Sequence, residues 1–229
     1  MELSAIIRRV VIGAGGMPYN LVIFDMDGTL THDALDFDSL RLELGLTERV
    51  PILEWIDTLP EPRRARSIAV LERYENMAAE KSTLRPGARD LLCHLRGRNI
   101  RSALLTRNSG KSMNRIVARC DLAFDLAVSR DQPPFKPHPE SIGMILRKLN
   151  AKPTETLMVG DYIFDLQAAA AAGVESVLLL DDPQAPPAFA HQATFHVSRL
   201  DHIIELIKSP GQFRVPVQSA GGTQRSLTC

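Results

Sequence analysis

The chain has 229 residues, which is enough for one α/β domain with a modest insertion and a sizeable buried core. Basic and acidic side chains number 27 each, so the formal net charge is zero and the chain offers no general attraction to nucleic acid or to an anionic membrane. Its three cysteines lack metal-ligand spacing, and Cys93 and Cys120, which lie in apolar helical patterns, are predicted to be buried thiols. This use of cysteine favours a reducing, cytoplasmic location.

Both ends of the chain differ in pattern from a folded core. The apolar run 6–12 is split by Arg8 and Arg9, so it is too short for a transmembrane helix, and residues 1–19 are predicted to form a flexible leader. A short glycine-rich stretch within the leader lacks the G-x-G-x-x-G spacing of a dinucleotide-binding turn. Residues 209–229 are rich in Gly, Ser, Thr and Gln, which predicts a disordered tail.

The apolar run 21–24 predicts a buried parallel strand, and from residue 87 onward strand and helix patterns alternate. Such alternation is typical of a Rossmann-like three-layer α/β fold, in which helices cover both faces of a parallel sheet. We assign residues 20–32 and 86–208 to this core. The other predicted strands are 100–105, 124–128, 156–159 and 174–180, and the predicted helices are 88–96, 111–119, 139–149, 163–172 and 200–207.

Residues 33–85 interrupt this alternation. No strand is predicted in the stretch, and its apolar spacing favours three helices, at 37–44, 48–58 and 61–79. Because the stretch lies between the first and second core strands, it is predicted to be a small helical unit inserted into the core.

Acidic residues follow two of the predicted strands. Asp25 and Asp27 stand on the turn that leaves the first strand, and Asp161 and Asp165 follow a later apolar run. Ligands in open α/β sheets gather beyond the carboxyl ends of the strands. Two carboxylates so close on one turn repel each other, which costs free energy unless a ligand offsets it. A divalent cation and a phosphoryl group are the ligands that such a pair would serve. Gly28 lets the backbone fold back sharply at this turn. The acidic residues together predict an enzyme that acts on phosphate groups.

Two further polar groups complete the pattern. Thr106 ends the second strand and is followed by Arg107 and Asn108, and Lys136 stands before a proline that leads toward the next helix. In this order, the aspartate pair, the threonine, the lysine and the second acidic pair resemble the four motifs of the haloacid dehalogenase (HAD) superfamily. The resemblance spans residues 21–208 and points to the phosphoglycolate phosphatase-like branch, which has a small helical cap.

The resemblance implies a mechanism as well as a fold. The inserted helices would be a cap that closes over the site, excludes water and selects the leaving group. Asp25 would be the nucleophile that forms an aspartyl-phosphate, and Asp27 would be the general acid and then the general base. Thr106 would donate its hydroxyl to a phosphoryl oxygen, and Lys136 would place a positive charge beside it.

The resemblance also implies a metal ion. Mg²⁺ would be bound by a carboxylate oxygen of Asp25 and by the backbone carbonyl of Asp27. Asp161 would bind it directly, and Asp165 would lie nearby or bind it through water. The substrate would be a small phosphorylated metabolite, and the enzyme a monomer or a homodimer.

Arg107 departs from the family pattern, which often has asparagine directly after the threonine. Here Asn108 comes one position later. Arg107 either contacts a second anionic group of the substrate or faces solvent, and the sequence leaves both alternatives open. The candidate substrate-binding residues are therefore Thr106, Arg107, Asn108 and Lys136.

Asp27 also discriminates among branches of the superfamily. It excludes the dehalogenases, which lack an aspartate there, and the phosphonate-cleaving enzymes, which have alanine. A sugar phosphomutase of the β-phosphoglucomutase type keeps both aspartates and remains an alternative. A HAD-like binding protein without turnover is another, although such a protein is expected to have lost a motif residue and none is missing. The favoured function is a Mg²⁺-dependent phosphatase that acts on a small phosphate monoester.

Overall fold

A computed structural model describes residues 18–215 and places six strands in one sheet. They are β1 (Leu21–Phe24), β2 (Arg101–Leu105), β3 (Leu126–Val128), β4 (Thr156–Gly160), β5 (Glu175–Leu179) and β6 (Phe195–Val197). Their order across the sheet is β3-β2-β1-β4-β5-β6, and every pair of neighbours is parallel, which confirms the predicted α/β fold. β6 is not predicted from the sequence, because a run of three residues is too short to show a strand pattern.

Helices cover both faces of the sheet, as predicted. In chain order they are α1 (Phe37–Leu44), α2 (Ile52–Asp57), α3 (Arg63–Lys81), α4 (Ala88–Gly97), α5 (Gly110–Arg119), α6 (Glu140–Lys148), α7 (Ile163–Ala171) and α8 (His202–Lys208). Val22 and Phe24 of β1 belong to an apolar cluster with α4, α5 and α8, and Leu21 and Ile23 belong to a second cluster with α6 and α7. Within residues 18–215, no helix is long and apolar enough to cross a membrane.

The inserted helices α1, α2 and α3, hereafter the cap, pack around an apolar cluster of their own. α1 ends at Gly45, whose φ of 73° is the left-handed conformation that favours glycine. The predicted helix 48–58 is wrong at its start, since α2 begins only at Ile52. Pro51 is extended and disfavours helical geometry in the residue before it, so the helix cannot begin earlier.

Ordered structure extends beyond both predicted ends of the core. Tyr19, assigned to the flexible leader, is 3% exposed, and its hydroxyl donates to Glu175. Residues 209–215, assigned to the disordered tail, form a short 3₁₀ turn and a bridge between Arg214 and Phe195. Arg214 also pairs with Glu175 at 2.7 Å, so one carboxylate contacts both ends. The two predictions are wrong at these positions, and the rest of both segments lies outside the described residues.

One of the two cysteines predicted to be buried is instead exposed. Cys120 is buried, whereas Cys93 is exposed. α4 turns Leu91, Leu92 and Leu95 toward the core, and Cys93 falls on the other side of the helix. An apolar helical pattern identifies the buried face, but a residue within the pattern need not lie on that face.

The buried side chains of β2 should contribute strongly to the free energy of unfolding. Leu104 is fully buried, so Leu104→Ala is expected to lower that free energy by about 2–5 kcal/mol, as measured by urea denaturation. Leu42 of α1 is 82% exposed and provides the control, since Leu42→Ala is expected to change stability by about 0.5 kcal/mol or less. Equal effects of the two substitutions would contradict this placement of the core.

Candidate active site

Three predicted site residues lie side by side at the carboxyl edge of the sheet. Asp25 follows β1, Thr106 follows β2 and Asp161 follows β4, and β1 lies between the other two strands. They line one cavity of about 670 Å³, together with Lys136 and residues of α1 and α2. The sheet edge therefore forms one wall of the cavity and the cap forms another, which is where ligands bind in folds of this type.

The turn after β1 is built against Asp161. Gly28 has a φ of 77°, and a Cβ at this position would lie only 2.3 Å from Oδ2 of Asp161. Thr29 Oγ1 donates to Oδ1 of Asp161 at 2.7 Å. Only glycine combines the left-handed conformation with the space that Asp161 needs, so Gly28 brings the two acidic motifs together.

Asp25, Asp161 and Asp165 form a carboxylate cluster, in which one oxygen from each residue lies within 4.8 Å of the others. Burial and the negative charges of Asp25 and Asp165 raise the pKa of Asp161. A divalent cation relieves such repulsion, and a donor set made only of oxygens suits Mg²⁺. The cluster therefore fits the predicted Mg²⁺. Coordination of the ion by the backbone carbonyl of Asp27 stays a prediction.

The side chain of Lys136 is 2% exposed and ends among the same carboxylates. Its Nζ donates to Oδ1 of Asp25 at 2.6 Å and to Oδ1 of Asp165 at 2.5 Å. Burial lowers the pKa of Lys136, but the charges of Asp165 and Asp25 outweigh burial and hold that pKa above its usual value. The geometry is therefore consistent with the positive charge that the resemblance assigns to Lys136.

Asp27 accepts hydrogen bonds on both carboxylate oxygens, from Asn108 Nδ2 at 2.7 Å and from Thr31 Oγ1 at 3.3 Å. Burial, with the negative charges of Asp25 and Asp33, raises the pKa of Asp27 to about 7, although the two hydrogen bonds lower it. A carboxyl group that exchanges its proton near neutral pH is suited to general acid and base catalysis. The geometry is therefore consistent with the role predicted for Asp27.

Asn108 contacts the acidic turn, and Thr106 lines the cavity. The backbone N–H of Asn108 donates to Oγ1 of Thr106 at 3.1 Å, and its side chain reaches Asp27. Ser109 follows as the N-cap of α5, and its side chain accepts from the N–H of Ser112. The structure thus gives Asn108 a contact with Asp27 that the sequence analysis does not anticipate.

Of the two alternatives that the sequence leaves open for Arg107, the structure argues against a side chain that simply faces solvent. Its NH1 and NH2 groups contact Oε1 and Oε2 of Glu54 on α2, at 2.9 and 2.7 Å. NH1 also donates to the carbonyl of Lys136. The guanidinium lies over the ring of Phe164 at 4.3 Å and over that of Phe135 at 5.0 Å. Three of its five N–H groups are therefore engaged by the protein, which corrects the expectation of a solvated side chain. Arg107 also lines the cavity, so its contact with substrate stays a prediction.

A second contact joins the cap to this turn, and no sequence signal reveals it. Glu75 of α3 is 2% exposed and accepts from the backbone N–H and the hydroxyl of Ser109, at 3.2 and 2.9 Å. Glu75 also pairs with Arg130, which donates to the carbonyl of Arg107 at 3.1 Å. In the sequence, Glu75 looks like one charge among many on a solvated helix face.

The chain matches the family model of haloacid dehalogenase-like hydrolases over residues 19–173, more than half of its length. It belongs to this family. An uncharacterized hydrolase of Saccharomyces cerevisiae is 34% identical over 197 residues, which cover 82% of this chain and 90% of that protein. A phosphoglycolate phosphatase of Pseudomonas putida is 28% identical over 193 residues, covering 71% of this chain and 70% of that protein.

A solved structure confirms the fold of this HAD hydrolase. The crystal structure of a predicted phosphoglycolate phosphatase from Haemophilus somnus matches with a TM-score of 0.67 and 21% identity. The match covers 84% of this chain and 99% of that one. The family match confirms the predicted HAD membership, and the structural match confirms the Rossmann-like fold.

Asp27 is expected to destabilise this HAD hydrolase at alkaline pH when a chelator keeps metals away. Its pKa of about 7 in the folded state exceeds the ordinary value of 3.8, so between these values the folded state binds a proton that the unfolded state has lost. The contribution of Asp27 to stability therefore falls as pH rises through this range. Asp27→Asn removes the charge and should raise the free energy of unfolding at about pH 8 by roughly 1 kcal/mol or more.

Urea denaturation at about pH 8 and about pH 4 measures this effect, which should shrink at the lower pH because folded Asp27 is then protonated. Asp57→Asn, at an exposed position on α2, is the control and should show no such pH dependence. A loss of stability in Asp27→Asn at the higher pH would contradict the assignment.

Proposed function

We propose that this HAD hydrolase is a Mg²⁺-dependent phosphatase that hydrolyses a small phosphate monoester through an aspartyl-phosphate on Asp25. The proposal rests on one observation above all. Asp25, Asp27, Thr106 and Lys136 line the same cavity as the carboxylate cluster. A nucleophile, a proton donor with a raised pKa, a hydroxyl and a buried ammonium are the groups that phosphoryl transfer requires.

In the first step, a carboxylate oxygen of Asp25 attacks phosphorus and the bond from phosphorus to the leaving oxygen breaks. Asp27 gives its proton to that oxygen, and the product alcohol leaves. In the second step, Asp27 takes a proton from water, the water oxygen attacks the phosphorus, and the Asp25 carboxylate is released with inorganic phosphate. Asp27 ends protonated, ready for another cycle.

Lys136 and Thr106 would bind the oxygens of the phosphoryl group while these bonds change. Lys136 already holds Asp25 at 2.6 Å, so one ammonium orients the nucleophile and offsets the charge of the incoming phosphate. Asp25, Asp161 and Asp165 are the residues that would hold Mg²⁺. Bound there, the ion would neutralise charge shared by the nucleophile and the phosphate.

The proposed substrate is a small phosphorylated metabolite such as phosphoglycolate. This proposal is supported by the phosphoglycolate phosphatases among the relatives and by a cavity of about 670 Å³ that the cap covers in part. A cytoplasmic location and a monomeric or dimeric state stay predictions from the sequence.

Release of inorganic phosphate from a panel of phosphoglycolate, sugar phosphates and nucleotides tests the proposal. Turnover is expected with Mg²⁺ and not with chelator, and the order of rates identifies the substrate class. Asp25→Asn removes the nucleophile and is expected to lower kcat by about 10⁴-fold or more. Wild-type protein quenched in acid during turnover should carry a phosphoryl group on the peptide that contains Asp25.

Asp57→Asn is again the matched control and should keep wild-type turnover, because Asp57 is exposed on the cap surface. Interconversion of sugar phosphates that requires a bisphosphate primer would identify a phosphomutase instead. Binding of phosphate esters by well-folded protein without turnover would identify a binding protein, and either result would refute the phosphatase.

A further inference from the structure

Arg107 has a set of contacts that the proposed reaction does not use. One guanidinium contacts both carboxylate oxygens of Glu54 on the cap and the backbone carbonyl of Lys136 on the core. We propose that Arg107 is a positioning residue which, anchored by Glu54, holds the backbone of Lys136 in place while α2 is docked on the core. The inference rests on the proposed function, in which Lys136 binds the phosphoryl group.

Lys136 needs such support because of its place in the fold. It lies in the connection 129–139 between β3 and α6, whereas Asp25 directly follows a strand at the centre of the sheet. Side chains on loops are held less firmly than those on strands and helices. The ammonium of Lys136 is fixed by Asp25 and Asp165, but its backbone requires a partner of its own. The guanidinium of Arg107 is that partner.

Arg107 is itself held firmly, so it can fix the position of the Lys136 backbone. Its side chain is 19% exposed, and two nitrogens meet the two oxygens of Glu54 in the paired geometry that suits arginine and a carboxylate. The rings of Phe164 and Phe135 pack against the guanidinium. Since Phe135 precedes Lys136 in the chain, Arg107 contacts two successive residues of the connection.

The same contacts argue against Arg107 as a substrate ligand through its NH1 and NH2 groups. A substrate anion that binds these two groups together would compete with Glu54, and the loss of Glu54 would free them to bind it. If Arg107 positions Lys136, the loss of Glu54 instead weakens catalysis. Substitution of Glu54 therefore gives opposite results under the two roles.

Steady-state kinetics of Glu54→Gln and Arg107→Lys separate these roles. Each variant is expected to lower kcat by about 10- to 100-fold, because displacement of a reacting group by ~1 Å costs about that much, while KM changes by less than about 3-fold. Glu54→Gln is a conservative change at a side chain that is 40% exposed, so it should preserve the fold. In the double variant, kcat should be no lower than in Arg107→Lys, since the two residues act as one unit.

Glu80 and Arg115 provide the matched control. They form another ion pair between cap and core, from α3 to α5 at 3.1 Å, which is more exposed than the Glu54–Arg107 pair, and neither residue lines the cavity. Glu80→Gln and Arg115→Lys should leave kcat within about 2-fold of the wild type, as expected for a surface pair. An equal loss of kcat in these variants would show that any contact between cap and core suffices, and would overturn the assignment.

Chemical labelling of Lys136 tests the inference without relying on turnover. An amine-reactive reagent, with modification mapped by mass spectrometry, should leave the buried Lys136 unlabelled in the wild type and in both controls. In the Arg107→Lys variant, the reagent should modify Lys136, because the backbone of that residue has lost its contact with the guanidinium. Protection in that variant with unchanged kcat would overturn the inference, and so would a Glu54→Gln variant that keeps kcat and lowers KM. If the wild type shows no turnover, the proposed function fails while labelling still decides the position of Lys136.

Discussion

The charges at the floor of the cavity constrain the rest of the structure. The ammonium of Lys136 lies between Asp25 and Asp165, and Asp161 adds a third carboxylate within the same cluster. Buried like charges at such separations are costly, and one ammonium does not neutralise three carboxylates. The backbone must therefore hold these groups together against their repulsion, and the uncompensated negative charge is what makes the cluster suitable for a divalent cation.

Both the sheet and the cap hold these charged groups in position. β1 and β4 are neighbours whose carboxyl ends fix Asp25 and Asp161, and the left-handed turn at Gly28 leaves room for the second carboxylate. The turn after β2 and the connection that carries Lys136 receive additional support from the cap. Glu54 reaches them through Arg107, so a charged side chain outside the sheet contributes to the arrangement of the groups inside it.

Local patterns explain which parts of the fold the sequence could predict. The strand before Asp25 is a continuous apolar run, and the acidic turn is adjacent to it, so both are visible within a few residues. Three-residue β6 and the ordered segment 209–215 depend on pairing with distant residues and show no such pattern. The contact between Arg107 and Glu54 could not be predicted from the sequence either. The two residues are 53 positions apart, and nothing in the sequence distinguishes Glu54 from other glutamates on helices.

Asp27 is connected to the cap by a short series of hydrogen bonds. Glu75 of α3 holds the backbone and hydroxyl of Ser109, and the adjacent Asn108 donates to Asp27. Burial raises the pKa of Asp27, whereas this hydrogen bond stabilises the charged form and lowers it. Both effects depend on the same packing, since a displaced α3 would remove support from the turn and admit water beside Asp27. The pKa of Asp27 therefore depends on the packing of the cap against the core as well as on the neighbouring carboxylates.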